Sequence, residues 1–385
     1  MAEQRTKGLT QPATLAIALI SMIAITVIPV ALYMPTASRL ETPLFAPRVC
    51  TFYYTWWGNE TVYPNEYPTT ANRTMHWDEN VVGFNATEDP YNIGATNHPT
   101  LGTDDIVLYD SADPLAIRYH LDQAVAAGID TFIATWWGPD NYIDRNFELL
   151  LNETLHGNYS MDHTIYFESV QPRYDASQLP AENVTRNIAE DLEYVIVEYA
   201  GHTNFLHVTD PTTGAARPVI FLYAVTSLRK TAAIWQGAIA ILAAKGLHPF
   251  LIADVGNPRA LPRGFEVFDG VHVYNPLGIY RDEPARALDR FETMVLSSRV
   301  NGLLAAATVL PGYDDTRVRD GVKPLPREDG AVYNASWDVA IASDPDWVLI
   351  CSFNEWHEGS EIEPSLQDGT RYMELTAVHA ARFKA

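Results

Sequence analysis

The sequence has few basic residues. Its 385 residues include 26 Lys and Arg against 48 Asp and Glu, which gives a formal net charge of −22 at pH 7. Because nucleic-acid binding needs a basic surface that neutralises phosphates, this balance argues against a nucleic-acid partner. A strong negative charge instead suits a soluble domain exposed to water or salt. The hydrophobic content of 47% is enough for a sizeable core.

Cysteine is nearly absent, and three common site motifs are missing. Two cysteines cannot form a disulfide-rich scaffold. The sequence has no glycine-rich phosphate loop after its first strand-like run, no H-E-x-x-H and no G-x-S-x-G. These absences argue against a dinucleotide-binding fold, a zinc hydrolase and a serine hydrolase. No other dense His/Cys cluster is present either, so a metal site is not indicated.

One long apolar run lies near the start of the chain. Residues 13–33 carry no charge and are long enough to span a bilayer, and Arg5 and Lys7 in front of them favour the cytoplasmic side. We therefore predict a cytoplasmic N-terminus (1–12), a single-pass transmembrane signal-anchor (13–33) and a linker (34–47). A cleaved signal peptide is the alternative. In both cases the remaining chain lies outside the cytoplasm, either at the cell surface or secreted.

N-x-S/T sequons support this topology. They mark surface positions of an exported glycoprotein, because glycosyl transfer occurs on the extracytoplasmic side. The sequons start at Asn59, Asn72, Asn85, Asn152, Asn158, Asn183 and Asn334.

Eight strand-like runs follow the linker. Most are continuous apolar runs, which are typical of parallel strands buried on both faces. The runs cover 49–57, 130–137, 164–170, 218–225, 248–255, 270–274, 302–310 and 347–356, with helical patterns over 113–128, 181–201, 229–246 and 283–302. The segment between the fifth and sixth runs is short for a helix. This alternation predicts a (β/α)8 TIM barrel over residues 48–385, with a doubly wound open sheet as the alternative.

The two cysteines lie near the starts of the first and last runs. In a barrel these strands are neighbours, so Cys50 and Cys351 are expected to be close in space. A disulfide between them would suit an exported protein. The alternative, which we favour, is two buried thiols, because adjacent parallel strands seldom provide disulfide geometry.

Aromatic and acidic residues cluster where the predicted strands end. Barrel enzymes build their sites at the C-terminal ends of the strands. A single aromatic residue at such an end is more often a packing residue, but a group of them beside carboxylates favours a sugar ligand. The residues are Tyr53, Tyr54, Trp56, Trp57, Trp136, Trp137, Glu168, Tyr223, Asp254 and Tyr274.

The last run enters a segment with two closely spaced glutamates. Glycoside cleavage needs one protonated carboxyl group and a second carboxylate. Glu355 and Glu358 are three residues apart, so both face one pocket if the chain curls after the strand. Trp356 beside them would desolvate a carboxyl group and raise its pKa. The alternative is a solvated acidic patch. The more distant Glu361 and Glu363 are expected to support the loop.

The segment S-F-N-E-W-H-E-G-S-E-I-E-P (352–364) resembles the signature of glycoside hydrolase family 99, which comprises endo-α-mannosidases and α-mannanases. Other segments in the order of that family are F-Y-Y-T-W-W-G-N (52–59), H-W-D (76–78), the stretch 120–138, G-V-H-V-Y (270–274) and P-G-Y-D-D-T-R-V-R (311–319). The resemblance spans roughly residues 48–375. The segment at 352–364 is its most specific part.

The resemblance implies an endo-acting, retaining enzyme without a cofactor that acts within chains of α-mannose. It implies that Glu355 removes the proton of the sugar 2-hydroxyl, so that O2 displaces the leaving group through a 1,2-anhydro sugar. Glu358 would be the general acid and then the general base. Together with Trp356 and His357 of the signature, the candidate substrate-binding residues are Tyr54, His76, Trp137, Glu168, Tyr274, Arg319 and Asn354.

The segment T-W-W-G-P at the end of the second predicted strand narrows the range of expected substrates. In the family, Trp at the position of Trp137 goes with mannose-preferring enzymes and Tyr with enzymes that act on glucosyl-mannose. We therefore expect an α-1,2-mannan or another mannose-containing surface or N-linked glycan. Ser360 and Glu361 replace a commoner T-Q pair, which bears on subsite preference. Two alternatives remain, a non-catalytic sugar-binding surface protein and a related barrel hydrolase with another glycan.

Overall fold

The computed structural model describes residues 45–58, 76–77, 93–210, 213–321 and 323–385. The predicted signal-anchor (13–33) lies outside these residues, as do most of the linker and Asn59, Asn72 and Asn85. Within the described part of the chain, no helix is both long enough and apolar enough to cross a membrane.

Eight parallel strands close into a barrel. In the order β1-β2-β3-β5-β6-β7-β8-β9 each strand pairs with the next, and β9 pairs with β1. The predicted (β/α)8 barrel is therefore confirmed and the open sheet is wrong. The strands are β1 (Arg48–Tyr53), β2 (Thr131–Trp136), β3 (Asp162–Glu168), β4 (His207–Thr209), β5 (Ala216–Tyr223), β6 (Phe250–Asp254), β7 (Gly270–His272), β8 (Leu304–Val309) and β9 (Trp347–Ile350).

Strand β4 is an addition that the sequence analysis did not predict. Its three residues pair antiparallel with the first part of β5, where Val208 faces Arg217. It is too short to give a periodic pattern, although the segment D-P-T-T-G after it is a turn signal. Because β4 lies at the N-terminal end of β5, it is remote from the end at which the candidate site was predicted.

Helices cover the outside of the barrel. The four predicted helices are present as α1, α3, α4 and α6, and the short segment before β7 holds only a 3-10 turn at Phe265–Val267. Asp113 caps α1 by accepting the N–H of Leu115. The helices are α1 (Pro114–Ala126), α2 (Tyr142–His156), α3 (Ala181–Tyr199), α4 (Ala232–Ala244), α5 (Leu277–Asp282), α6 (Ala287–Val300), α7 (Ala331–Ala342) and α8 (Arg371–Lys384).

The first and last predicted strands extend beyond the observed ones. Strand β1 ends at Tyr53 and β9 at Ile350, yet Trp57 and Trp356 beyond them are fully buried. Apolarity reports burial, whereas strand pairing depends on where the backbone leaves the ladder. The buried extensions are the segments that carry the candidate site.

The cysteines are buried free thiols, so the disulfide alternative is wrong. Cys50 pairs in register with Leu349, and Cys351 lies two residues further along the chain, just beyond the end of β9. This offset separates the two side chains along the strand direction. Burial raises the pKa of Cys50 to about 12, so this thiol is unreactive.

Candidate active site

A cavity of about 400 Å³ opens at the C-terminal ends of the barrel strands. Carboxyl groups and aromatic rings line it, as predicted from the strand ends. Most lining residues come from the ends of strands or from the loops that follow them, and they arise from seven of the eight barrel strands. They are Tyr54, Trp56, His76, Trp137, Tyr166, Glu168, Val170, Tyr223, Tyr274, Val318, Arg319, Glu355, His357 and Glu358.

Glu355 lines this cavity and has an unpartnered carboxylate oxygen. Its backbone N–H donates to Ser352 Oγ at 2.8 Å, which fixes the loop after β9. Its Oε2 is buried without a hydrogen-bond partner among the described residues. Burial and, secondarily, the charge of Glu358 raise the pKa of Glu355 well above its ordinary value. Such an oxygen is suited to accept the proton of an incoming hydroxyl group.

Glu358 has partners on both carboxylate oxygens. Tyr274 donates its hydroxyl hydrogen to Oε2 at 2.9 Å, and Arg319 Nη1 lies 3.6 Å from Oε1. Because Tyr274 has one hydroxyl hydrogen, the 2.5 Å contact between the Tyr54 and Tyr274 hydroxyls has Tyr54 as its donor. Burial raises the pKa of Glu358, while Tyr274 and Arg319 oppose this rise.

The two glutamates differ in how well they hold a negative charge. Two buried carboxyl groups that interact cannot both ionise readily, so each raises the pKa of the other. The charge on Glu358 is stabilised by Tyr274 and Arg319, whereas Glu355 has an unpartnered oxygen. The contacts of Glu358 therefore stabilise its ionised form better than those of Glu355 do.

Glu168 is a third carboxyl group in the cavity wall. Thr135 donates to its Oε1 at 3.0 Å, and the indole N–H of Trp137 donates to Thr135 Oγ1 at 3.2 Å. Burial, together with the charges of Glu358 and Asp254, raises the pKa of Glu168 to about 8. The chain of hydrogen bonds fixes Glu168 and Trp137 relative to each other.

Arg319 is the only Lys or Arg among the described residues that line the cavity. Its Nη1 donates to Asp315 Oδ2 at 2.6 Å and to the Tyr313 hydroxyl at 3.0 Å. Its positive charge is thus shared between Asp315 and Glu358. The cavity therefore has a surplus of carboxyl groups, which suits a neutral, hydroxyl-rich ligand better than a phosphate.

His76 and His357 form one side of the cavity together with Trp56. The ring of His76 stacks on that of Trp56 with centroids 4.9 Å apart, and burial lowers the pKa of His76 to about 4. His357 Nε2 donates to the backbone carbonyl of His76 at 2.5 Å. Gly94 permits this arrangement, because a Cβ there would lie 2.8 Å from the His357 ring.

Two predicted substrate-binding residues do not line the cavity. Asn354 and Trp356 are fully buried. The Asn354 amide accepts the Tyr54 N–H at 2.7 Å and donates to the Tyr54 carbonyl at 3.0 Å and the Tyr109 hydroxyl at 3.1 Å. Trp356 also donates to the Tyr109 hydroxyl, at 3.2 Å. Both residues hold the loops after β1 and β9 together, so they position the neighbouring Tyr54 and Glu355.

Five lining residues were absent from the predicted set. Trp56 and Tyr223 had been placed at strand ends, and Tyr166 precedes Glu168 by two residues on β3, which puts both on one face of the strand. The residue two positions before a predicted site residue on the same strand could therefore have been included. The other two are Val170 and Val318.

The described residues contain no group of three or more His, Cys, Asp or Glu side chains that could hold a metal ion.

Comparison with known proteins gives a consistent result. The sequence profile of "Glycosyl hydrolase family 99" matches residues 45–380. The chain is 24% identical over 339 residues to glycoprotein endo-alpha-1,2-mannosidase of Mus musculus, which covers 83% of this chain and 68% of the mouse protein. It is 24% identical over 349 residues to the human glycoprotein endo-alpha-1,2-mannosidase-like protein, with 83% and 69% covered.

Solved structures agree with the fold. The GH99 endo-alpha-mannosidase from Bacteroides thetaiotaomicron matches with a TM-score of 0.69 and 25% identity, over 87% of this chain and 97% of that protein. GH5_18 from Streptomyces cattleya, in complex with GlcNAc, matches with a TM-score of 0.50 and 13% identity over 71% of this chain and 76% of that chain. The second likeness concerns the barrel fold alone.

Proposed function

The chain belongs to glycosyl hydrolase family 99 and is a glycoside hydrolase, and from this premise we propose that it cleaves internal α-mannosidic linkages with retention. The observation that carries the proposal is the unequal pair of buried glutamates in one cavity. Glu355 has an unpartnered oxygen, and Glu358 is held by Tyr274 and Arg319. One carboxyl group is thus open to a substrate hydroxyl and the other is fixed in orientation.

In the first proposed step, Glu355 takes the proton of the 2-hydroxyl group of the sugar to be cleaved. The O2 atom forms a bond to C1 as the bond from C1 to the leaving oxygen breaks, and Glu358 gives its proton to that oxygen. The products are a 1,2-anhydro sugar and the departing oligosaccharide. Glu355 then carries the proton from O2, and Glu358 is ionised.

In the second proposed step, a water molecule opens the anhydro ring. Glu358 takes a proton from the water as its oxygen bonds to C1, and the bond from C1 to O2 breaks while Glu355 returns its proton to O2. Two displacements at C1 give overall retention. Both glutamates end in their starting protonation states, so the cycle balances without a cofactor.

The cycle begins with the proton on Glu358, although Tyr274 and Arg319 favour the ionised form of this residue. Substrate binding would reverse this preference. Sugar hydroxyl groups that donate to the carboxylate of Glu355 in the cavity stabilise its charged form and lower its pKa. Glu355 would then be ionised and Glu358 would hold the proton. Substrate binding therefore prepares the acid as well as placing the sugar.

The proposed substrate is an α-1,2-mannan or a mannose-containing surface or N-linked glycan. The half-buried indole of Trp137 in the cavity wall supports mannose over glucosyl-mannose, given the preference associated with Trp at this position in the family. We also propose that residues 13–33 anchor the protein in the membrane with the barrel outside the cytoplasm. The uncharged apolar run and the sequons support this, and Asn158 is exposed in a turn after α2.

The test is digestion of a panel of α-mannosides and glucosylated oligomannosides by the purified protein, with product analysis. Release of oligosaccharides from inside α-mannose chains is expected. Glu358→Gln should abolish cleavage, with rates at least about 100-fold lower, and retain sugar binding, while the exposed Glu190→Gln on α3 should behave as wild type. No release from any α-mannoside would overturn the proposal, and binding without release would instead support a non-catalytic carbohydrate-binding protein.

A further inference from the structure

Asp254 is a buried carboxylate beside the cavity that has no part in the chemistry proposed above. It ends β6 and is 7% exposed, and it does not line the cavity itself. No Lys or Arg forms an ion pair with it among the described residues; the charge of Arg259 acts on it from a greater distance. Burying a carboxylate without an ion-pair partner costs free energy of folding, and hydrogen bonds to the carboxylate offset this cost.

Its partners are backbone N–H groups from three successive loops. Asp254 Oδ1 accepts from the N–H of Gly256 at 2.8 Å and from the N–H of Tyr274 at 3.3 Å. The backbone N–H of Ala224 lies close enough to the carboxylate to lower its pKa. These residues follow β6, β7 and β5, so one side chain connects three neighbouring loops at the mouth of the barrel.

Two of these loops, those after β5 and β7, adjoin or contain residues that line the cavity. The loop after β5 also has an unusual backbone conformation. Ala224 has a φ of 48°, in the left-handed region that a residue with a Cβ seldom adopts, and it directly follows Tyr223 of the cavity wall. Tyr274 itself is bonded through its hydroxyl to Glu358. Fixing its backbone therefore fixes the donor that orients Glu358.

We propose that Asp254 is a positioning residue for the acid Glu358, acting through the backbone of Tyr274. This rests on the proposed function of Glu358. A purely structural anchor would stabilise the fold but would affect every substrate equally. A positioning residue should instead affect the step in which Glu358 protonates the leaving oxygen, and its effect should depend on the Tyr274 hydroxyl.

Asp346 provides a matched control. It is also a buried aspartate with 7% exposure, and its Oδ2 accepts the backbone N–H of Ala305 at 2.9 Å. It precedes β9, so it lies at the opposite end of the barrel from the cavity. An Asp346→Asn substitution tests loss of a comparable carboxylate without touching the loops of the site.

The experiment measures kcat and KM of the whole protein on two oligomannosides, one with a sugar leaving group and one with an activated aryl leaving group. Asp254→Asn should lower kcat on the sugar leaving group about 10- to 100-fold, with little change in KM. The loss should be smaller on the aryl leaving group, which needs less protonation. In a Tyr274→Phe background the same substitution should cost less than about 3-fold. Asp346→Asn should keep wild-type values.

Equal losses with both leaving groups, or full additivity with Tyr274→Phe, would overturn the inference and leave Asp254 as a structural anchor. So would a comparable loss in Asp346→Asn. If Asp254→Asn does not fold, Asp254→Ser, which keeps one acceptor oxygen, is measured against the same expectations. A wild-type protein that cleaves neither substrate counts against the proposed function and this inference together, whereas an active wild type with additive losses counts against the inference alone.

Discussion

Tyr274 donates its hydroxyl hydrogen to Glu358 Oε2 across 2.9 Å. The donor comes from the loop after β7 and the acceptor from the loop after β9. The bond therefore joins two of the segments whose sequences resemble those of glycoside hydrolase family 99. Because a donor stabilises the ionised carboxylate, this bond lowers the pKa of Glu358 against the effect of burial.

Removing the hydroxyl group should move the pH profile of the reaction. In Tyr274→Phe the charged form of Glu358 is less stable, so the pKa of its carboxyl group rises. A general acid works in its protonated form, so the basic limb of kcat/KM should shift to higher pH, while the maximal rate falls about 10-fold because the acid is less well oriented. Profiles of kcat/KM against pH test this. Tyr159→Phe is the control, because it removes a comparable 2.9 Å bond to Asp122 far from the cavity; a shift to lower pH in Tyr274→Phe would contradict the role of the bond.

Glu168→Gln should stabilise the fold at alkaline pH. The pKa of Glu168 rises from 4.5 to about 8 in the fold, so its contribution to stability is fully present below pH 4.5 and is lost as the pH rises through 8. Glutamine stays neutral and accepts the same hydrogen bond from Thr135. The gain in the free energy of unfolding should be a few kcal/mol at pH 9, on the order of 1.4 kcal/mol per unit of pKa shift, and absent near pH 4.

Thermal unfolding at a series of pH values measures this difference. Glu198→Gln, on the exposed surface of α3, should leave the curve unchanged. If Glu168→Gln and the wild type differ by the same amount at every pH, the burial of an ionising carboxyl group is not the cause.

Trp137→Tyr should change the preference between sugars. The indole N–H is tied to Thr135, which in turn holds Glu168, so the Trp ring is fixed in the cavity wall. Tyrosine is smaller and brings a hydroxyl group to this wall. We expect the ratio of kcat/KM for mannosyl-mannose over glucosyl-mannose substrates to fall about 10-fold. Trp137→Phe enlarges the space without adding a hydroxyl group, so an equal change there would show that size alone sets the preference.

Arg327→Met should destabilise the protein strongly. Arg327 donates to Glu361 Oε1 at 2.5 Å and to the Gly359 carbonyl at 3.1 Å, and Asn97 also donates to Glu361 at 2.7 Å. Glu361 is almost fully buried, and removal of its cation should cost about 3–5 kcal/mol. Denaturant unfolding measures this cost. Adding Glu361→Gln should restore much of the loss, and additive losses in the double variant would show that the ion pair is not the source.

The barrel could be predicted because most of its strands are continuous apolar runs. The face of the site could be predicted because parallel barrel strands all end at one rim. The residues at which β1 and β9 end could not be predicted, since Trp57 and Trp356 beyond them are as buried as the strands themselves. Asn354 was expected to contact substrate. Its amide instead pairs with the backbone of Tyr54, which is 300 residues earlier in the chain. Sequence spacing does not reveal such a contact, nor the three loops that meet at Asp254.

In the loop after β9, the residues that hold the backbone in place are not the two glutamates proposed for the reaction. Asn354 precedes the two glutamates and is bonded to the backbone of Tyr54. Gly359 follows them with a φ of 57° and packs against Asp314, so that a Cβ at this position would lie 2.7 Å from the Asp314 carbonyl oxygen. Neither contact involves a carboxylate of Glu355 or Glu358. A protein with both glutamates replaced by glutamine should therefore keep its cavity intact. Such a protein would be an engineered lectin, a reagent that labels α-mannose chains without degrading them.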